Sequence, residues 1–255
     1  RPLLLMSEQG FGDTTQFSRY ALFLQQKGFD VTILSQPALV PLLKEAVSLT
    51  NVVDKIDIKD WKKRYPSWMP LLDVLPSMQS QQLWTPYSES YLKIQPERIN
   101  AWEQKLKRKP GKQLIALHWQ GNPGHENSLY SRGRSIPFKR LLGLHQLGDV
   151  EFVSIQKGDG SEQLRLNKGL NFVKGQKQVS QSVDFLDTAA ILANCDLLIS
   201  SDSAVTHLAG AMGIPTWLAL RWIPEWRWGL EGMSTAWYDS VRLFRQPSDG
   251  DWESV

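Results

Sequence analysis

The sequence predicts an α/β protein made of two successive halves, each a parallel sheet covered by helices. Three observations carry this. Apolar runs of strand length, such as "PLLLM" (2–6) and "VTIL" (31–34), alternate with stretches of helical spacing. That rhythm stops near residue 60 and restarts with "QLIALHW" (113–119). Between the two runs lies "KPGK" (109–112), a polar Pro-Gly connector. The expected halves are therefore 1–108 and 109–255. At 255 residues and 42% hydrophobic content, the chain is long enough for both.

The elements follow in order. "PLLLM" ends at a glycine turn and reads as a buried strand. Phe17, Ala21 and Leu24 then recur at helical spacing, and Gly28 stops the helix. "VTIL" is the second strand, "ALVPLLKEAV" (38–47) a helix despite Pro41, and "VVDKIDI" (52–58) a third strand. Residues 61–100, rich in Pro, Ser and Gln, are expected to be irregular or to form short helices, followed by a helix containing Trp102. In the second half, strands are expected at "QLIALHW", "EFVSIQ", "CDLLISS" and "PTWLAL". Helices are expected at "PFKRLLGLHQL", "DFLDTAAILAN" and "AVTHLAGAMG".

Composition narrows the function. A net charge of +3 and a pI near 8.9 fall short of the basic stripe of a nucleic-acid binder, so no nucleic-acid partner is expected. The single cysteine, Cys195, rules out an intrachain disulfide and reads as a small buried hydrophobe. No apolar run is long enough to span a bilayer as a helix, and no signal peptide precedes "PLLLM". The expectation is a cytoplasmic protein, with peripheral membrane contact as the alternative, and a chain starting at Arg1 is expected to be part of something longer. Eleven tryptophans, several of them between 217 and 237, point to packing or to contact with sugars or bases.

The turn "GFGD" (10–13) opens a helix, as phosphate-binding turns do, but it lacks the third glycine of a dinucleotide fingerprint, where Thr15 stands. The second strand ends "ILSQ" without the acid that would hold a ribose, and no Gly-Lys-Ser/Thr loop is present. A nicotinamide, flavin or other resident cofactor is therefore not expected. Asp13 stands where backbone N–H groups at a helix start satisfy a carboxylate. It also stands at the carboxyl edge of a first strand, where a carboxylate takes a proton from an incoming hydroxyl. One residue can do both. Gly10, Gly12 and Thr14 are expected to shape the acceptor side of that turn.

The second half carries an anion site. In "DLLISSDSAVTHLAGAMGIP" (196–215) an apolar strand ends at Ser200-Ser201, Asp202 reads as the helix N-cap, and Ser203, Ala204 and Val205 form a first turn of small residues with free N–H groups. His207, one turn on, reads either as a ligand contact or as a hydrogen-bonded core histidine. Arg132 and Arg134 in "SRGRSIPF" offer guanidinium forks for phosphate oxygens, and Gln156 and Lys157 stand at the carboxyl end of the next strand, the edge where such sheets bind ligands.

These motifs, taken in order with "ALHWQGNP", "DTAAILANCDLL" and "PEWRW…WYDSVRLFRQ", resemble the heptosyltransferase-like glycosyltransferases. The nearest form is the catalytic region that follows tetratricopeptide repeats in bacterial proteins, distantly similar to protein O-GlcNAc transferases. The resemblance covers nearly the whole chain and is weakest over 61–100. It implies a GT-B architecture, two Rossmann-like halves facing across a cleft. It implies Asp13 as general base, Arg134 on the donor diphosphate, and Ser203, Ala204 and His207 at the diphosphate-binding helix. Where the family has Thr or Thr-Gly after the aspartate, this chain has Ser203-Ala204, which keeps backbone donors but not a threonine hydroxyl.

The expected function is transfer of a sugar from a nucleoside-diphosphate donor to an acceptor hydroxyl of a glycan, a lipid-linked glycan or a protein. Inversion and metal independence are expected as well. The only Asp-x-Asp triplet, Asp249-Gly-Asp251, lies in a polar tail, and His118, His125, His145 and His207 lack ligand spacing. No G-x-S-x-G elbow supports a hydrolase. The competing readings are an inactive module that binds nucleotide or glycan, or presents Trp222, Trp226 and Trp228 to a partner, and a GT-B sugar-nucleotide epimerase.

Overall fold

The computed structural model describes residues 2–57, 59–80, 88–126, 132–167 and 169–255; the side chains of Ser80 and His125 fall outside the description. In the first half β1 (Pro2–Met6), α1 (Phe11–Gln26), β2 (Asp30–Leu34), α2 (Val40–Glu45), β3 (Asn51–Val53), α3 (Trp61–Arg64), β4 (Ser67–Pro70), α4 (Val74–Ser80) and α5 (Pro96–Leu106) follow one another. The second half holds β5 (Gln113–His118), α6 (Pro123–Glu126), α7 (Phe138–Leu141), β6 (Val150–Ser154), α8 (Gln176–Gln181), α9 (Phe185–Leu192), β7 (Leu197–Ser201), α10 (Ala204–Met212), β8 (Thr216–Leu220) and β9 (Val241–Arg245). The sheets are parallel throughout, ordered β3-β2-β1-β4 and β6-β5-β7-β8-β9.

The expected α/β alternation is present, with differences at the sheet edges. The third strand stops at Val53, because only Thr32–Leu34 of β2 is available to pair with it and charged Asp54 and Lys55 follow; Ile58, the last residue of the expected strand, lies outside the described residues. Two strands escaped the pattern. β4 is a short edge strand with exposed Ser67 and Trp68, and its terminal Pro70 needs no ladder donor there. β9 alternates buried Val241 and Leu243 with exposed Arg242 at the opposite edge of the second sheet. The expected helix at 137–147 is one α-turn followed by a 3-10 stretch, Leu142–Gln146. Pro41 is tolerated because it stands in the first turn of α2, where its missing N–H has no helical partner to lose.

The two halves are docked through a continuous apolar core that runs from Leu5, Phe17 and Val52 to Leu208, Ala211 and Tyr238. The segment after residue 88 crosses early: Tyr91 and Leu92 donate their N–H groups to the Ala211 carbonyl of α10, at 2.9 and 3.0 Å. α5, placed before the connector, lies on α9, where Trp102 and Arg98 both donate to Asp187 Oδ1. Arg19 of α1 is buried between the rings of Tyr91 and Tyr238, 4.8 and 4.7 Å from their centroids, and donates to the Trp237 carbonyl. The contact between α1 and α10 places the carboxyl ends of β1 and β7 on opposite walls of one cleft. Among the described residues, no helix is long and apolar enough to cross a membrane.

Candidate active site

The cleft has a volume of about 970 Å³. On one wall, the turn after β1 places Gly10 as the N-cap of α1 and Asp13 at the third helical position. Asp13 therefore closes the cap from inside the helix: its Oδ2 accepts the Gly10 N–H at 2.9 Å. Its Oδ1 accepts from Arg227 Nη2, an ion pair that reaches across from the second half. Gly12 has a specific reason to be glycine. A Cβ there would lie 2.7 Å from His207 Cδ2 and 3.3 Å from Ala204 Cα, so the two helix starts meet only because that side chain is missing.

The facing wall starts at the end of β7. Ser203, with extended backbone, is the N-cap of α10, which corrects the expectation that Asp202 caps it. The reason is the chain path: β7 runs on through Ser201, and Asp202 is still ahead of the first helical turn. Asp202 lines the cleft, and burial pushes its carboxyl above the usual range, opposed by the nearby Arg134 charge. Ser203 Oγ lies 3.2 Å from Nδ1 of His118, the last residue of β5. Burial, reinforced by the Arg134 charge, lowers His118 to about 4, so it is a neutral imidazole at physiological pH.

Arg134 enters beside Gly121, where a Cβ would come within 2.7 Å of the guanidinium. Its Nε is buried, and among the described residues it has no hydrogen-bond partner. A buried, unpaired guanidinium donor opening on a cleft at a helix N-terminus is the arrangement that an anion completes.

Residues 142–219 match the sequence profile of glycosyltransferase family 9 (heptosyltransferase). The whole chain is similar in fold to the family 9 glycosyl transferase of Veillonella parvula, at TM-score 0.68 and 13% identity over 96% of this chain and 86% of that one. It is also similar to the E. coli ADP-heptose LPS heptosyltransferase II, at TM-score 0.64 and 11% identity over 99% and 95%. The chain has the GT-B fold of these proteins, and its residues 142–219 carry the family 9 profile. Among curated proteins, Protein FlbA of Caulobacter vibrioides is 27% identical over 273 residues, which cover 98% of this chain and 44% of that protein. The chain thus spans less than half the length of that relative.

Several expected site residues take other positions. Thr14 turns inward, and its Oγ1 donates to Gln36 Oε1 at 3.0 Å, so it braces the turn and does not line the cleft. Gln156 is buried and also absent from the cleft wall. Its amide accepts the N–H groups of Trp119 and Gln120 and donates to the carbonyls of Gln120 and Asp159, stapling two loops together. Lys157 does line the cleft, but its ammonium donates to the Val179 carbonyl, and burial lowers it to about 8. Arg132 is exposed, and its carbonyl accepts from Arg221.

His207 lines the cleft and is also a core histidine. It stacks on Trp228 with ring centroids 5.4 Å apart, its Nδ1 contacts Tyr238 Oη at 3.0 Å, and burial keeps it neutral. The sequence reading missed His118 and Arg227. The first was legible as a polar residue ending an apolar strand; the second had no signal beyond its place between Trp226 and Trp228.

Proposed function

We propose that the chain transfers a sugar from a nucleoside-diphosphate donor to an acceptor hydroxyl, inverting the anomeric carbon, with no metal ion on the diphosphate. The observation that carries this reading is the buried, unpartnered Nε of Arg134 beside the start of α10, in the same cleft as the Asp13 carboxylate. The donor diphosphate lies against the first-turn N–H groups of α10, Ser203 and Arg134. As the acceptor oxygen attacks C1, the bond from C1 to the phosphate oxygen breaks. The charge that develops on the leaving diphosphate meets donors already in place. The acceptor proton goes to Asp13 on the opposite wall. A base in that role contributes about 10²–10⁴-fold. ADP heads the candidate nucleotides, because one of the relatives in fold is named for ADP-heptose.

The test is thermal unfolding with ADP, UDP, GDP, CMP or dTDP, without added metal, on the parent and on Arg134→Ala. A ligand at a hundred times its Kd stabilises by about 2.7 kcal/mol. The expected result is one nucleotide that stabilises the parent and has much less effect on the variant. A folded parent that responds to none of them would overturn the donor site.

A further inference from the structure

We infer that Arg227 is the positioning residue for the proton-accepting carboxylate of Asp13, delivered to it from the other half of the molecule. This rests on the transfer reading above. Arg227 stands in a 3-10 turn, Trp226–Trp228, between β8 and β9. Its side chain is only 6% exposed, although it lines the cleft. Each of its three nitrogens has a fixed acceptor. Nε donates to Gln16 Oε1 at 2.6 Å, Nη1 to Glu225 Oε1 at 2.6 Å, and Nη2 to Asp13 Oδ1.

Asp13 and Gln16 are three residues apart on α1, so they share a face, and the planar guanidinium spans both. Glu225 holds the fork from behind, since its other carboxylate oxygen accepts the Arg227 N–H at 2.9 Å. The guanidinium also lies 4.7 Å from the Trp226 ring centroid and 5.5 Å from that of Phe17.

The consequence falls on Asp13. Gly10 N–H takes one oxygen and Arg227 the other, so the carboxylate is held in one rotamer while still lining the cleft. A base held in register with the acceptor loses no rate to rotamer search. The half that binds the donor therefore also sets the base, and the site is complete only with both halves docked. Each nitrogen of the Arg227 guanidinium already has a protein acceptor, whereas among the described residues Nε of Arg134 has none.

A double-mutant cycle tests this, with sugar transfer and nucleotide-dependent thermal shift measured on the parent, Arg227→Ala, Asp13→Asn and the double variant. Arg227→Ala is expected to lower kcat by roughly 10–100-fold, leaving KM and the nucleotide shift near the parent values. The double variant is expected to be no slower than Asp13→Asn alone, because Arg227 acts through that carboxylate. Added methylguanidinium is expected to restore part of the rate of Arg227→Ala and none of the rate of the double variant. If Arg227→Ala does not fold, Arg227→Lys, which keeps the charge and loses the fork, is expected to give an intermediate kcat with an unchanged nucleotide shift.

Multiplicative losses in the double variant, or loss of the nucleotide shift on removing Arg227, would overturn the inference while leaving the transfer reading standing. A parent that binds nucleotide and transfers nothing would overturn both.

Discussion

Gly12→Ala is the substitution whose outcome the geometry decides most sharply. By helix propensity it should stabilise, since alanine in a helix gains about 0.5–1 kcal/mol over glycine. The structure reverses the sign. The added methyl would lie 2.7 Å from His207 Cδ2, roughly 0.8 Å inside an ordinary carbon–carbon contact of about 3.5 Å. His207 has little room to retreat, because it stacks on Trp228, contacts Tyr238 Oη and is 6% exposed. The second neighbour, Ala204 Cα at 3.3 Å, is backbone at the start of α10. Overpacking of this kind costs about 1–3 kcal/mol, leaving a net loss of up to about 2.5 kcal/mol after the helix gain. At roughly 2–4 °C per kcal/mol, Tm should fall by up to about 10 °C. Turnover should fall as well, because Asp13 and the donor-side turn lie on the two surfaces being pushed apart. Urea unfolding and kcat are the readouts. Gly143→Ala, with no neighbour within 4 Å of the new carbon, serves as the control and should stay within about 0.5 kcal/mol of the parent. A Gly12→Ala protein more stable than the parent, as helix propensity alone would have it, would refute the claim that the halves meet at this glycine.

Two further outcomes follow from the second half of the chain. His118 is held near 4 in the fold against about 6.5 in the unfolded chain, so between those values the unfolded chain binds the extra proton and acid favours unfolding. From pH 7 to pH 4 the parent should therefore lose about 3 kcal/mol more stability than His118→Gln, measured by urea unfolding at each pH; equal losses would place His118 elsewhere. Gln156→Leu keeps the volume but strands two N–H and two carbonyl groups of the 119–120 and 159 loops, and should cost about 2–4 kcal/mol in the same assay. A Gln156→Leu protein with unchanged stability that had lost its nucleotide shift would return that amide to the donor.

Much of the frame was legible in the chain, for identifiable reasons. Strands inside the sheet, such as β5 and β7, carry apolar runs, and the start of α10 announces itself through small polar residues between an apolar strand and a Gly-spaced helix. Edge strands β4 and β9 were not legible, since a strand with one free edge needs no continuous apolar run. The turn residues Gly10, Gly12 and Asp13 and the small-residue helix start could be placed from local spacing alone, because cap geometry is a matter of three or four consecutive residues. The partners of each side chain could not. Whether Gln156 faces donor or backbone, whether Thr14 faces cleft or core, and whether Arg134 or Arg227 keeps, among the described residues, a buried nitrogen without an acceptor depends on contacts between residues up to 214 positions apart. Sequence alone determined the elements and the edge of the sheet where chemistry gathers, since backbone propensity and burial period are local. Only the packing of α1 on α10 decided which charges meet across the cleft, because Coulomb and hydrogen-bond energies act over distances in space that the order of residues does not encode.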